Sequence, residues 1–310
     1  MSLFKGPMRQ HIPGHKELSD HVDIMEVKAG SKVFIPLICG PSVNLEILVK
    51  EGDHVSIGTK VAQCNERNVV PIFASVSGTV AGTQKLMHSS LKPVEHLVIE
   101  NDGLYERVRS FEPLDYKSAD RTALIDFMMN AGIIGLGGAG FPAYIKYKFA
   151  KDVKKLIINA VECEPFITAD YKMIQAHKEE FVTGVAAMKK MAMAPEAVIA
   201  IKKTHPDLIQ FVEEAVKGME GFSVAAVPDV YPMGWERVLV REIMHAEYEK
   251  LPGEVGAIVN NATTAIAFGD ALLTGTPIVS KTLTVSGNAI KKPVNVQVPV
   301  GVPVSEIVAA

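Results

Sequence analysis

The sequence predicts a three-part α/β protein: a small all-β unit, a largely parallel sheet flanked by helices, and a second small β unit. Three observations predict it. Between residues 32 and 101, short apolar runs are broken by turn residues at close spacing, the pattern of short strands. From about 107 to 275, strand-like runs alternate with helical periodicities, which builds a parallel sheet covered by helices. After residue 276 two strand-like runs return, with turns at Gly287 and Gly301. The chain has 310 residues, 48% of them hydrophobic, enough for two or three domains with buried cores. The expected division is an arm over 1–30, the β unit over 31–106, the α/β domain over 107–275 and the last β unit over 276–310.

Residues 4–30 carry few strand signals and a cluster of His11, Pro13, Gly14 and His15, so they read as an arm lying over the next domain. The two histidines do not form a helical metal pair, because Pro13 and Gly14 stand between them. Strands follow at 33–37, 45–49, 61–63, 69–73, 78–80 and 96–99. Beyond a polar connector, Leu124, Phe127, Met128 and Ala131 recur at helical spacing, with Ser118 as the expected cap and Gly132 where a helix end favours left-handed backbone. The alternation continues with a strand at 156–160, a helix over 169–191, a strand at 197–201 and a helix carrying Leu208, Phe211, Val212 and Ala215. A strand at 223–227, a helix ending near Met244, a strand at 256–260 and a helix over 262–273 complete the domain. Strands at 278–286 and 294–298 close the chain, and a helix starts near Val304, so the last unit is expected to continue past Ala310.

Composition excludes several classes of function. With 32 Lys+Arg against 35 Asp+Glu and no block of like charge, nothing recommends a nucleic-acid partner. No apolar run reaches the roughly 18–20 residues that cross a bilayer, so direct membrane insertion is not expected. Cys39, Cys64 and Cys163 lie in three separate segments and form no C-x-x-C pair for zinc or an iron–sulfur cluster. A reducing, cytoplasmic setting without a metal site is the expectation.

Four segments carry the chemistry. In Gly135-Leu136-Gly137-Gly138-Ala139-Gly140-Phe141-Pro142, four glycines within six residues let backbone approach a ligand and expose N–H donors, as a phosphate or a flat cofactor needs. The loop follows a helix, unlike the dinucleotide-binding fingerprint that opens one after a strand. Asn159-Ala160-Val161-Glu162-Cys163-Glu164-Pro165 stands at a strand's carboxyl end, where open α/β sheets bind ligands. A solvated loop would account equally well for its acids. Tyr231-Pro232-Met233-Gly234-Trp235-Glu236 and Val259-Asn260-Asn261-Ala262-Thr263-Thr264 each follow another strand of the same sheet, although Asn at such a place also serves as a helix cap.

In this order and spacing the four segments resemble the RnfC family of the Rnf electron-transport complex and, more distantly, the flavin-carrying subunit of respiratory complex I. Relatives include the corrin reductase of microcompartments and an electron-transfer protein associated with proline reductase. The resemblance covers most of the chain, with Gly137 to Pro142 and Glu162 to Pro165 as its most specific parts. It implies a Rossmann-like flavin domain between a barrel-sandwich domain of the biotinyl or lipoyl type and a C-terminal β-grasp (SLBB-like) unit that the chain includes only in part. Turn residues around Gly52, Gly58 and Gly78 carry the barrel resemblance, but Asn65 to Asn68, at the hairpin tip, lacks the lysine that is acylated in carrier domains.

The activity implied is hydride transfer between NAD(H) and a noncovalent FMN, with no acid–base residue required. By matching motifs, Gly135, Gly137, Gly138, Ala139 and Gly140 would approach the flavin, and Lys146 its phosphate or ring oxygens. Asn159, Glu162, Asn260, Asn261 and Thr264 would contact its polar groups, while Phe141, Glu164 and Glu236 would face the nicotinamide nucleotide. The sequence departs from the family in its arm, His11-Ile12-Pro13-Gly14, at Val161, where the complex I relative has an acid, and at Trp235, a position usually Gly or Glu. Iron–sulfur clusters are expected only in a further C-terminal segment, because the cluster-binding cysteine motifs of the Rnf family do not occur here. Partners implied are NADH and either other electron-transfer subunits or a soluble reductase, in the cytoplasm or peripheral at the inner face of the cell membrane. Two alternatives stay open on sequence: a docking scaffold that has lost its cofactor, and a β-grasp module that binds a corrinoid or saccharide.

Overall fold

The computed structural model describes residues 12–39, 44–63, 69–88 and 90–310. His11, Cys64 and the hairpin-tip stretch Asn65 to Asn68, on which the unmodified-barrel expectation rests, lie outside them. The chain divides into two compact units, one of Met1–Ile24, Lys146–Gly269 and Thr284–Asn295, the other of Met25–Ile145, Asp270–Leu283 and Val296–Ala310.

The arm makes one 3-10 turn (Lys16–Leu18) and a short strand, β1 (Met25–Glu26). Its polar side chains bond within the α/β unit, where Lys16 reaches carbonyls 146 to 151 residues away and Lys172 pairs with Asp23 at 3.1 Å. The sequence expectation had laid the arm over the β unit that follows it, because apolar patterning says nothing about where a charged side chain finds its partner.

The β unit contains β2 (Lys32–Pro36), β3 (Glu46–Ile47), β4 (His54–Val55), β5 (Lys60–Gln63), β6 (Ile72–Phe73), β7 (Gly78–Met87) and β8 (Pro93–Asn101). Two antiparallel sheets, ordered β2-β8-β7-β4 and β3-β5-β6, form it. Alternation along β2 turns Val33 and Ile35 into a core with Val55, Val61, Val80, Leu97 and Ile99, the inward face of a strand of period two. β7 runs seven residues beyond the expected 78–80, because Thr83 to Met87 pair with β8 past an irregularity after Val80. That half of the strand is polar and exposed, so hydrophobic patterning misses it.

In the α/β domain, α1 (Arg121–Asn130) is capped by Asp120, whose carboxylate accepts the Ala123 N–H at 2.8 Å. The expected cap, Ser118, donates instead to the Asp115 carbonyl in the preceding turn. After α2 (Tyr144–Lys148) come β9 (Lys155–Ala160), α3 (Ala169–Ala176), α4 (Lys178–Ala192), β10 (Glu196–Lys202), α5 (Pro206–Ala215), β11 (Phe222–Val227), α6 (Glu236–Met244), β12 (Ala257–Asn261) and α7 (Ala262–Thr274). The stretch read as one helix over 169–191 is two, broken at His177, which leaves helical geometry. Apolar spacing cannot register a one-residue break when the buried face resumes at Phe181. The helix α4 meets α7 with backbones almost touching: a Cβ on Gly184 would lie 1.8 Å from the Ala265 carbonyl oxygen, and one on Gly269 1.8 Å from that of Glu180.

The sheet is wholly parallel and ordered β11-β10-β9-β12. β9 and β10 are near-continuous apolar runs, as strands covered on both faces must be. The α/β class with a parallel sheet therefore stands as the sequence predicts. The last strands, β13 (Ser280–Val285) and β14 (Val294–Pro299), join β1 in a three-stranded sheet, with β1 parallel to β14. The helix expected near Val304 is α8 (Val304–Ala309). Among the described residues no helix is long and apolar enough to cross a membrane.

Candidate functional site

The strand order reverses between β9 and β12: later strands β10 and β11 extend the sheet on one side of β9, and β12 lies on the other. In open parallel sheets ligands sit outside the carboxyl ends of the strands at such a reversal. The carboxyl end of β9 carries Asn159 and leads to Glu162 and Glu164, and β12 ends in Asn260 and Asn261, with Asn261 paired in register to Asn159. Eight of the residues singled out from the sequence are thus brought to one edge: Lys146, Asn159, Glu162, Glu164, Glu236, Asn260, Asn261 and Thr264.

Side chains lace these loops together. Asn159 accepts the Val161 N–H at 3.1 Å and donates to the Gly234 carbonyl at 2.7 Å, joining the β9 loop to the one that follows β11. The two loops run so close at Gly234 that a Cβ there would lie 2.9 Å from the Cys163 sulfur. Tyr231 donates its hydroxyl to Glu164 Oε1 at 3.1 Å and stands edge-on to Trp235, whose ring is 55% exposed. On the other side Asn261 and Thr263 both donate to the Asp170 carboxylate. Asn261 also accepts the Thr264 N–H at 3.2 Å, so it does cap α7, the use of Asn that needs no ligand. Asn260, buried, donates to the hydroxyl of the fully buried Tyr147.

Charge is handled with equal care. Lys146 donates to the Val259 carbonyl at 2.6 Å and faces Glu236 Oε2 at 3.6 Å. Burial holds its amine below the ordinary lysine value, opposed by the Glu236 carboxylate. Glu236 stands in the first turn of α6, where the helix dipole favours an acid, and its other oxygen receives the Tyr248 hydroxyl at 3.4 Å. Glu162 accepts the N–H groups of Asp170 and Tyr171 at 2.8 and 3.1 Å, capping α3. Burial pushes its carboxyl up to about 7, with the Asp170 charge acting in the same direction. The resemblance gives Glu162 a flavin contact, and here both carboxylate oxygens already serve the helix.

The remaining singled-out residues, Gly135 to Phe141, belong to the other compact unit. Their loop closes on itself: Gly135 N–H donates to the Phe141 carbonyl at 2.8 Å and Gly140 N–H to the Gly135 carbonyl at 3.2 Å. Lys281 donates to the Leu136 carbonyl at 2.7 Å. Gly138 and Gly140 hold φ of 121° and 60°, conformations that L side chains rarely adopt, and nothing lies within 4 Å of where their Cβ atoms would be. Gly138, Ala139 and Gly140 line one wall of a cavity of about 300 Å³ with Ile35, Phe73 and Ile278. The loop therefore offers open backbone, and Phe141 an apolar ring 42% exposed.

Sequence reasoning missed Lys16, Tyr147 and Asp170. Each reaches its partner across at least 91 residues of chain, and no spacing signals such a pair. It also missed Lys202, buried at the carboxyl end of β10 and paired with Asp229 at 2.8 Å.

Two family models match the chain: the RnfC barrel sandwich hybrid domain over residues 4–104 and the Nuo51 FMN-binding domain over residues 128–269. The chain is 32% identical over 98% of its length to the RnfC-type subunit of the Na(+)-translocating ferredoxin:NAD(+) oxidoreductase complex of Acetobacterium woodii, of which it spans 70%. It is similarly 32% identical to the proton-translocating counterpart of Clostridium ljungdahlii, spanning 66% of it, and to the corresponding subunit of the ion-translocating oxidoreductase complex of Edwardsiella ictaluri, spanning 38%. Among solved structures, the NAD+-reducing NiFe hydrogenase in its air-oxidized state superimposes with a TM-score of 0.55 at 24% identity, over 61% of this chain and 38% of that one, a likeness of fold. With a near full-length match at this identity and both of its domain models in the expected order, the chain belongs to the RnfC family of ion-translocating oxidoreductase complexes.

Proposed function

We propose that this chain is the flavin- and nucleotide-binding part of an electron-transfer subunit and moves a hydride between NAD(H) and a noncovalently held FMN. The observation that carries the reading is the open glycine loop, which falls with the sheet-edge loops inside the span matched by the FMN-binding domain. The fit to such a cofactor is good in kind: exposed backbone at Gly137 and Gly138, an exposed aromatic ring at Phe141, and amide side chains at a strand-order reversal. Bound FMN would supply the two-electron chemistry. The chain's own residues bind and orient: the backbone of Gly135, Gly137, Gly138, Ala139 and Gly140 for the flavin, Lys146 for its phosphate or ring oxygens, and Asn159, Asn260, Asn261 and Thr264 for its polar groups. Phe141, Glu164 and Glu236 are read as nucleotide-facing. Iron–sulfur partners and attachment at the inner face of the membrane belong to the same proposal, supported by relatives named as parts of ferredoxin:NAD(+) oxidoreductase complexes.

Fluorescence quenching on titration with FMN tests it. Micromolar binding is expected, and Gly138→Val should weaken it at least about tenfold, because a branched side chain fills the open face of the loop. Equal affinity in parent and variant places the flavin elsewhere, and no binding by the parent favours the scaffold alternative. Changing Glu164 or Glu236 to Gln should slow NADH reduction of bound FMN about tenfold, the loss of one charge-assisted hydrogen bond.

A further inference from the structure

The loop from Glu162 to Ile167 adopts a conformation its own sequence does not favour. Glu162 and Phe166 hold φ of 41° and 69°, in the left-handed region that non-glycine residues rarely occupy. Such backbone persists only where surrounding structure over-determines it. Within the loop's own unit, that structure is the arm. Lys16 Nζ donates to the carbonyls of Glu162 at 2.8 Å, Glu164 at 2.7 Å and Ile167. An ammonium has three N–H donors, so these bonds use all of them. On either side of Lys16, the Gly14 carbonyl accepts the Phe166 N–H at 2.6 Å and the His15 ring stacks on Phe166 with centroids 4.8 Å apart and 16° between planes. A second anchor lies three residues on. Ser19, Thr168 and Asn295, all buried, share hydrogen bonds of 2.8 to 3.2 Å, and the Asn295 amide also donates to the Ser19 carbonyl.

We propose that Lys16 is a positioning residue: the arm is a strap whose ammonium fixes the 162–167 loop so that Glu164 is presented to the nicotinamide nucleotide. This rests on the function proposed above. The Glu164 main chain is held by Lys16 and its carboxylate by Tyr231, so the residue is clamped at both ends. Without the ammonium three carbonyls lose their donor, and the strained backbone has no reason to keep its shape. Because the loop contacts the nucleotide in both ground and transition states, the effect falls on nucleotide affinity more than on the limiting rate.

The experiment compares Lys16→Met and Lys16→Gln with the parent chain, each loaded with FMN. Amide hydrogen exchange is read across 162–176, and NADH reduction of bound FMN is followed by stopped flow over a range of NADH concentrations. For Lys16→Met the expected result is exchange at least about tenfold faster in that segment, with β10 and β11 unchanged. The NADH concentration at half-maximal rate should rise about tenfold while the limiting rate stays within about threefold. Lys16→Gln, which keeps two N–H donors on a shorter side chain, should fall between, and it decides the matter if the Met variant fails to fold. Faster exchange with unaltered NADH dependence overturns the proposal, since the strap is then only structural. Unaltered exchange overturns it as well. A parent chain that binds FMN and is not reduced by NADH refutes the function itself and takes this proposal with it, a failure recognised because it appears without any substitution.

Discussion

At the carboxyl edge of the parallel sheet, loops are tied by side chains: Asn159 to Gly234, Glu164 to Tyr231, Asp170 to Asn261 and Thr263, Lys146 to Val259. The glycine loop closes through its own backbone, Gly135 to Phe141 and Gly140 to Gly135, with Lys281 as its side-chain tie. The first arrangement is built from residues far apart in sequence, so a single substitution can undo it. The second is local, and its sensitive points are the glycines whose φ no other residue adopts easily. A binding edge with several distinct polar groups needs side chains held at fixed angles, whereas a surface offered to a flat ligand needs side chains kept away.

Four substitutions sharpen this contrast, taken from the largest expected effect to the smallest. Asp170→Ala removes the acceptor shared by Asn261 and Thr263, and urea unfolding should show a loss of about 2–3 kcal/mol, as for two buried donors left unsatisfied. Next comes the pH dependence carried by Glu162. Its folded pKa of about 7 lies above the ordinary 4.5, so the folded state holds the proton more tightly. Its contribution is complete below about pH 4.5 and is lost as pH rises through 7. Glu162→Gln should flatten that part of the stability profile, removing a change on the order of 2 kcal/mol between pH 5 and 8, even though the loss of a capping oxygen lowers stability overall. Thermal or urea unfolding across that range reads both effects. In the glycine loop Gly138→Ala meets strain without a clash, and about 1 kcal/mol is expected. Lys281→Met removes one exposed-side tie to Leu136 and should cost below about 1 kcal/mol in the same assay. Equal losses at Asp170 and Lys281 would erase the distinction between the two regions.

The parts of the fold legible in sequence are those written in apolar periodicity. β9, β10 and β12 are continuous buried runs, and their carboxyl ends could be placed to within a residue or two, which located Asn159, Glu162, Asn260 and Asn261. The second half of β7 was illegible because its pairing with β8 is made by backbone under polar side chains, and the break at His177 because the apolar face continues across it. Asp120 displaced Ser118 as a cap because both residue types accept the same bond and only the backbone path decides between them. The glycine loop was legible because four glycines in six residues state a backbone requirement directly. Lys16 was not: nothing in the pattern of the arm says that an ammonium finds three carbonyls 146 to 151 residues later. Long-range polar ties follow from the folded geometry, and periodicity carries no trace of them.

The central claim is tested most directly by an anaerobic titration of the FMN-loaded chain with NADH, followed in the flavin's blue absorption band. Bleaching that completes near one NADH per chain, about the stoichiometry of a two-electron transfer, is the predicted result. Retention of the full band in excess NADH, with FMN demonstrably bound, would contradict the account.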